Sequence, residues 1–202
     1  MTRVYLVRHG DTYFEADRRM KGQLDVPLSP AGRTQAAAVA AYFRSTQADL
    51  VYCSTLRRTQ EGARLLAEAV GAPLRSTPLL DERGWGVWQG LTSAQIARER
   101  AAGRTGRDGF GPLGEPADEF DARVACFMRL LAAGVGGRTV IAVTHGGVLK
   151  YAVLPALDLS VRDRRAFTAE TGTITLLQHD GARWRPVFLN RSPAQAPGCP
   201  AR

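Results

Sequence analysis

Two apolar runs in this chain stop on the same pair of residues. LVRHGDT, Leu6 to Thr12, ends on His9 and Gly10, and AVTHGGV, Ala142 to Val148, ends on His145 and Gly146. In an open parallel sheet, ligands bind beyond the carboxyl ends of the strands. A strand at Val4 to Val7 therefore delivers Arg8 and His9 to that edge, and a strand at Val140 to Val143 delivers His145. Gly10, Gly146 and Gly147 remove side-chain bulk beside them and leave backbone N–H groups open to an anion. A third ending, VYCSTLRR, brings Arg57 and Arg58 to the same edge at a helix N-terminus, a favourable place for phosphate. One His-Gly at a strand end is more often a turn than a catalytic site; two at equivalent places, with arginine beside them, reverse that weighting. His179, just before the turn signal Asp180-Gly181, reads as a solvated turn residue. Arginine in a first helical turn opposes the helix dipole, which implies a partner anion. The assembled edge is cationic and suits a phosphoryl group.

Other nucleophiles fit less well. Cysteine-dependent phosphatases place arginine six positions after the cysteine, and six after Cys53 stands Thr59. No Gly-x-Ser-x-Gly elbow, P-loop or HExxH pair occurs. Asp11 beside His9 could ligate a metal, but no second ligand cluster supports it, so no metal or other cofactor is expected. Histidine is the best nucleophile.

Strand and helix patterns alternate around these residues. After Val4 to Val7, Ser29-Pro30 supplies an N-cap and first-turn proline for a helix with apolar positions Ala36, Val39, Ala40 and Phe43. Leu50 to Cys53 is a strand. Ser54 or Thr55 caps a helix carrying Ala63, Leu66, Ala67 and Val70, which Gly71 and Pro73 stop. A weaker strand covers Thr77 to Leu80, and Thr92 to Arg100 is helical. Val124, Phe127, Met128 and Leu131 mark the core face of another helix. Val140 to Val143 is followed by a helix from Val148 that Pro155 limits. TITLLQHDGARWRPVFL reads as two strands joined at Asp180-Gly181. The expected fold is α/β: a mostly parallel sheet with helices on both faces and an antiparallel C-terminal hairpin.

Residues 1–191 are read as a single domain and 192–202, SPAQAPGCPAR, as a disordered tail. Residues 103–115, GRTGRDGFGPLGE, are too glycine-rich to pack and suit a loop at the mouth of the site, offering Arg104 and Arg107 to a substrate. At 202 residues the chain can bury about 70% of the surface its unfolded form exposes. The net charge of +8 comes almost wholly from arginine, since Lys21 and Lys150 are the only lysines. A basic surface could steer anions, but the arginines are spread along the chain, aromatics are sparse and no nucleic-acid-binding signature occurs, so a nucleic-acid partner is not expected. Cys53, Cys126 and Cys199 match neither a disulfide framework nor a zinc pattern and read as cytosolic thiols. With no signal peptide and no bilayer-spanning run, the reading is a soluble, cytoplasmic protein without a membrane partner; its oligomeric state stays open, a homodimer included.

The chain resembles the histidine phosphatase superfamily, the phosphoglycerate mutase-like enzymes, from its first strand to about Asn190. RHGDT looks like that family's signature, and MKGQLDVPLSPAGRTQA is similar to the pattern that follows it. STLRRTQE looks like its second arginine motif with Arg58 in the key place, LLDERGWGVWQGLT resembles the segment carrying the acid, at Glu82, and VTHGG matches the second histidine motif at His145. The resemblance implies that His9 is the nucleophile forming a phosphohistidine, that Arg8, Arg58 and His145 hold the phosphoryl oxygens, and that Glu82 protonates the leaving oxygen. It also gives Gly10, Thr12, Lys21, Gly22 and Gly146 as phosphate or substrate contacts. Three positions depart from the family pattern: Glu15 where asparagine is frequent, Gly62 for threonine, and Pro116 for serine after Gly-Glu. The implied activity is metal-independent hydrolysis of a small phosphorylated metabolite. The alternatives are a cofactor-dependent phosphoglycerate mutase, which calls for a long basic lid between the acid and the second histidine, and a non-catalytic phospho-ligand-binding domain, which would lack the acid.

Overall fold

The computed structural model describes residues 1–14, 19–107, 110–134, 137–160, 163 and 165–196. Glu15 lies outside them. Strand β1 (Thr2–Arg8) is the pivot of a six-stranded sheet. It is followed by α1 (Pro30–Tyr42), β2 (Leu50–Cys53), α2 (Arg57–Val70), β3 (Leu74–Ser76), α3 (Ser93–Ala101), α4 (Ala117–Ala133), β4 (Thr139–Thr144), α5 (Gly146–Ala156), β5 (Ile174–His179) and β6 (Trp184–Arg191). The strand order is β3-β2-β4-β1-β5-β6, with the first four parallel and β5 and β6 antiparallel. The expected mostly parallel sheet with a C-terminal hairpin is what forms.

Side chains alternate across the sheet, so each strand feeds two cores. Val4, Leu6, Val140 and Ala142 pack with Phe120, Val124 and Phe127 of α4 and Leu149 and Val153 of α5 on one face. Tyr5, Val7, Ile141, Val143 and Val51 pack with Val39 and Phe43 at α1 and Ala63 and Leu66 of α2 on the other. The sheet is covered on both sides, which is why β4 reads as one continuous apolar run.

Several local expectations change. Ser29 does cap α1, accepting from the Gly32 N–H at 3.1 Å, but α2 has no side-chain cap of its own: its N-cap is Leu56. Carboxylates from elsewhere replace it. Asp25 Oδ1 accepts the Arg57 N–H at 2.7 Å and Asp81 accepts the Thr55 N–H at 2.7 Å. The strand expected over Thr77 to Leu80 is instead a short 3-10 turn, Pro78–Leu80, capped by Thr77, because proline lacks the N–H a strand needs; the strand, β3, lies just before it. His179 is not a solvated turn residue: it ends β5, half-buried, with its ring edge-on to Trp184 at 5.1 Å.

Within the glycine-rich 103–115 segment, Gly106, Gly111 and Gly114 pack closely. A Cβ on Gly111 would stand 2.4 Å from the Trp85 carbonyl oxygen and 2.7 Å from Trp88 Cγ, so glycine here permits contact. Arg104 and Arg107 turn outward to Glu99 and Asp118. Ser192 to Ala196 form a hydrogen-bonded turn that seats Ala196 against one of the cores; the rest of the tail reading falls on residues outside those described.

Candidate active site

The register of the two central strands aligns the two His-Gly endings. Arg8 stands opposite Thr144, and the His9 N–H donates to the Thr144 carbonyl at 3.0 Å. His9 and His145 therefore leave the sheet at one level, with ring centroids 5.2 Å apart. Gly10 is needed for packing: a Cβ there would lie 2.3 Å from the Gly32 carbonyl oxygen in α1. The same loop is tied by Asp11, whose N–H donates to Gln35 and whose carboxylate accepts from Gln35 and the Thr171 hydroxyl.

His9 is 3% exposed, and its Nδ1 meets the Gly10 carbonyl oxygen at 2.6 Å. Since a carbonyl only accepts, Nδ1 carries the proton and Nε2 keeps its lone pair. Burial, then Arg58, Arg8 and Lys21, hold the imidazole well below its usual pKa, against the Gly10 hydrogen bond, which favours the cation. The ring is neutral and available to attack.

Arg58 is fully buried. Its Nη1 donates to the Leu24 carbonyl and its Nη2 to the Gly22 carbonyl, both at 2.7 Å, and its Nε donates to His145 Nδ1 at 3.2 Å. Those bonds use three of the five N–H groups and leave two for a ligand. Arg57, by contrast, is exposed and paired with Glu61 at 2.9 Å. Only one of the two arginines of the STLRR motif reaches the site. Arg8 donates from Nη1 to the Ala169 carbonyl, while its Nε–H is buried with no acceptor among the described residues, beside the position a Cβ on Gly146 would take.

His145 is fully buried. Nδ1 accepts from Arg58, so the proton sits on Nε2 and is donated to Ser54 Oγ at 2.8 Å. Ser54 also accepts from the Leu56 N–H and bonds the Thr59 hydroxyl. Both nitrogens of His145 are thus engaged inside the protein, and in this geometry the ring orients Arg58 and backs His9. Burial, then the neighbouring cations, keep it neutral as well, with a pKa well below the usual value. Ser54, expected as a helix cap, is instead the far anchor of this histidine.

Glu82 arrives on the loop after the 3-10 turn. One carboxyl oxygen accepts the Arg83 N–H at 2.8 Å and the other the Gly147 N–H at 3.2 Å. The group that meets the Gly147 N–H is therefore the Glu82 carboxyl. The loop is clamped from behind by Arg123 of α4, which donates to the Asp81 and Glu82 carbonyls at 2.6 and 3.1 Å and pairs with Glu115 at 2.6 Å. Glu115 in turn accepts the Gly84 N–H. Neither Arg123 nor Glu115 was singled out in the sequence; the available signal was a cation one turn from Phe120 on an otherwise apolar helix face.

Arg8, His9, Lys21, Gly22, Arg58, Glu82 and Gly146 all line one cavity of about 760 Å³. Its outer wall adds Arg19, Arg83, Trp85, Phe110, Lys150 and Tyr151. Phe110 packs on Trp85 and lies under the Arg83 guanidinium, 3.6 Å from its centroid. Thr12 is not among the residues lining the cavity; it pairs with Leu28 in an isolated bridge, its hydroxyl buried without a partner among the described residues. Of the departures, Gly62 faces Ala36 of α1, where a Cβ would make ordinary contact at 3.5 Å, and Pro116 is the N-cap of α4. Neither touches the cavity. Among the described residues no group of three His, Cys, Asp or Glu side chains could hold a metal ion.

The same framework occurs in known proteins. A probable phosphoglycerate mutase of Enterobacter sp. (strain 638) is 33% identical over 190 residues, spanning 91% of this chain and 88% of that one. The glucosyl-3-phosphoglycerate phosphatase of Mycobacterium tuberculosis is 35% identical over 171 residues, 79% of this chain and 77% of that one. A solved structure of the mycobacterial glucosyl-3-phosphoglycerate phosphatase superposes with a TM-score of 0.82 at 34% identity, covering 94% of this chain and 99% of that one. The α-ribazole phosphatase of Shigella flexneri does so at 0.84 and 25% identity, covering 94% and 96%. The sequence model of the histidine phosphatase superfamily (branch 1) matches residues 4–192. A match running from within the first strand to the residue after the last leaves no element of this sheet outside it: the chain belongs to the histidine phosphatase superfamily.

Proposed function

We propose that the protein hydrolyses small phosphomonoesters through a phosphohistidine on His9. The observation that carries this reading is the state of His9: neutral, with Nδ1 committed to the Gly10 carbonyl and Nε2 left as the nucleophilic nitrogen on the cavity wall. Nε2 attacks phosphorus in line while the bond to the alcohol oxygen breaks, and Glu82 gives that oxygen a proton. The imidazole gains positive charge as it does so, and the Gly10 carbonyl, already on the Nδ1 proton, stabilises it. The Arg8 Nε–H and the remaining Arg58 N–H groups take up the charge on the equatorial oxygens. In the second half, Glu82 removes a proton from water, the oxygen attacks phosphorus and the N–P bond breaks, which returns neutral His9 and releases phosphate.

Lys21 adds positive charge near His9, and Gly22 acts by holding Arg58 through its carbonyl. Gly146 keeps the space beside Arg8 clear. No helix among the described residues is long and apolar enough to cross a membrane. Free thiols at Cys53 and Cys126 support a place in a reducing compartment such as the cytoplasm. Rapid quench with 32P-labelled substrate tests the mechanism: an alkali-stable, acid-labile label is expected on the wild type and none on His9→Ala. Equal labelling of the two would refute the assignment.

A further inference from the structure

We infer that Gln35 is a positioning residue for the nucleophile: through one peptide unit it holds the proton of His9 on Nδ1 and leaves the lone pair on Nε2, a role in catalysis that rests on the phosphatase reading above. Gln35 is not among the residues lining the cavity, so it acts only through another group. That group is the peptide between Gly10 and Asp11. Its carbonyl meets His9 Nδ1 at 2.6 Å, and its N–H donates to Gln35 Oε1 at 2.8 Å. The peptide unit is planar and trans, so its C=O and N–H point opposite ways and fixing one fixes the other. A carbonyl whose own N–H is bonded is also a stronger acceptor, since successive hydrogen bonds polarise one another.

The surroundings hold this arrangement. Nε2 of Gln35 donates to Asp11 Oδ2 at 3.2 Å, and this network assigns which end of the amide faces the peptide. Asp11 Oδ1 takes the Thr171 hydroxyl. Gly32, one turn before Gln35 on the same face of α1, closes the other side: a Cβ there would strike the Asp11 carbonyl oxygen and stand 2.8 Å from the Asp11 nitrogen. The Ser29 N–H donates to that carbonyl oxygen at 2.9 Å. Gly-x-x-Gln in AGRTQA thus names the two residues with which the start of α1 grips the peptide behind His9. No other hydrogen bond holds His9 Nδ1 among the described residues, and an imidazole protonated on Nε2 has no lone pair there for phosphorus.

The tautomer is read directly by 15N NMR of the resting protein. His145 and His179 accept hydrogen bonds on Nδ1, from Arg58 and the Gly181 N–H, so of the three histidines His9 alone should show a protonated Nδ1. Gln35→Met keeps the length of the side chain and removes both hydrogen bonds. It should move His9 towards the Nε2–H form, leave the other two rings unchanged, and lower kcat about 10- to 100-fold at nearly constant KM. The first half-reaction should slow by the same factor with p-nitrophenyl phosphate and glycerol 3-phosphate, because the nucleophile and not the acid is affected. Gln35→Glu should also be slow, since it sets a second carboxylate against Asp11. Adding Asp11→Asn to it should restore most of kcat: the new amide donates to the new carboxylate, which still accepts the backbone N–H at position 11.

A wild type with His9 protonated on Nε2 overturns the inference. So does a folded Gln35→Met variant with wild-type kcat, or with reduced kcat and an unchanged His9 tautomer, and so does a double variant no faster than Gln35→Glu. If Gln35→Met does not fold, the Gln35→Glu pair decides. A wild type that shows the expected tautomer but neither turns over p-nitrophenyl phosphate nor forms a phosphohistidine refutes the phosphatase reading instead, while the NMR comparison still tests the grip on His9.

Discussion

Gly147→Ala should disable the acid without touching the nucleophile. A Cβ there would stand 2.1 Å from Glu82 Oε1, 3.1 Å from its Cδ and 3.3 Å from Phe120 Cζ. Ordinary carbon–oxygen contact needs about 3.3 Å, so the carboxyl must retreat by about 1.2 Å. Phe120, almost wholly buried, blocks the methyl from moving aside instead. A displacement of about 1 Å costs roughly 10²-fold when a group must meet a reacting atom, within the 10² to 10⁴ that acid catalysis supplies. Phosphoryl transfer from glycerol 3-phosphate should therefore slow about 10²-fold. The first half-reaction with p-nitrophenyl phosphate should change little, because nitrophenolate leaves without a proton. Hydrolysis of the phosphohistidine still needs Glu82, so stopped flow should show a burst of one nitrophenol per active site before a slow steady state. Adding Gly147→Ala to Glu82→Gln should cost almost nothing more, since the two remove one function. Wild-type rates on glycerol 3-phosphate, or full additivity with Glu82→Gln, would refute the geometry.

The remaining predictions follow from the same contacts. Because His9 must be neutral to attack and its folded pKa lies well below 6.5, the acid limb of kcat/KM should fall well below pH 6.5; a limb at pH 6.5 or above would contradict the burial argument. His9 and His145 also bind protons more readily unfolded than folded, so stability should fall as pH drops below about 6.5, by up to about 1.4 kcal/mol per pH unit for each histidine. Urea titrations across that range should show the slope, and His145→Asn should lessen it. Arg123→Leu leaves Glu115, with a side chain only 16% exposed, without its partner and should destabilise the fold by about 3 kcal/mol; a loss under about 1 kcal/mol would mean the pair is solvated. Incubation with 3-phosphoglycerate and catalytic 2,3-bisphosphoglycerate should release phosphate faster than it forms 2-phosphoglycerate, because the short 103–115 segment walls the cavity with Phe110 but does not supply the long basic lid of a mutase. Faster isomer formation would reverse that conclusion.

What the sequence made legible is what one strand or helix determines by itself. His9 and His145 share a level because two parallel strands in register must deliver their next residues together, and that pattern is written in two apolar runs with the same ending. Arg57 and Arg58 could not be separated in this way. Both sit in the first turn of α2, and the choice between them is made by Asp25, the Gly22 and Leu24 carbonyls and His145, all remote in the chain. The helix cap failed for the same reason: Asp25 and Asp81 take the place of a local side chain, which frees Ser54 to hold His145.

Glycine gives the sharpest contrast, because composition cannot say whether it stands for freedom or for contact. Gly181 turns the hairpin at φ 105° with open space around it, and the Asp-Gly pair announced that turn correctly. In the 103–115 segment the same composition was read as looseness, yet Gly111 is pressed onto Trp85 and Trp88 to build the cavity wall that carries Phe110. Gly147 was read as an open N–H for phosphate and is closed on Glu82. In each misread case the meaning lies in what the missing Cβ would strike, and those atoms belong to segments far along the chain. The site is therefore readable as a set of reactive groups from strand ends and motifs, while its precision resides in close approaches that only the assembled fold defines.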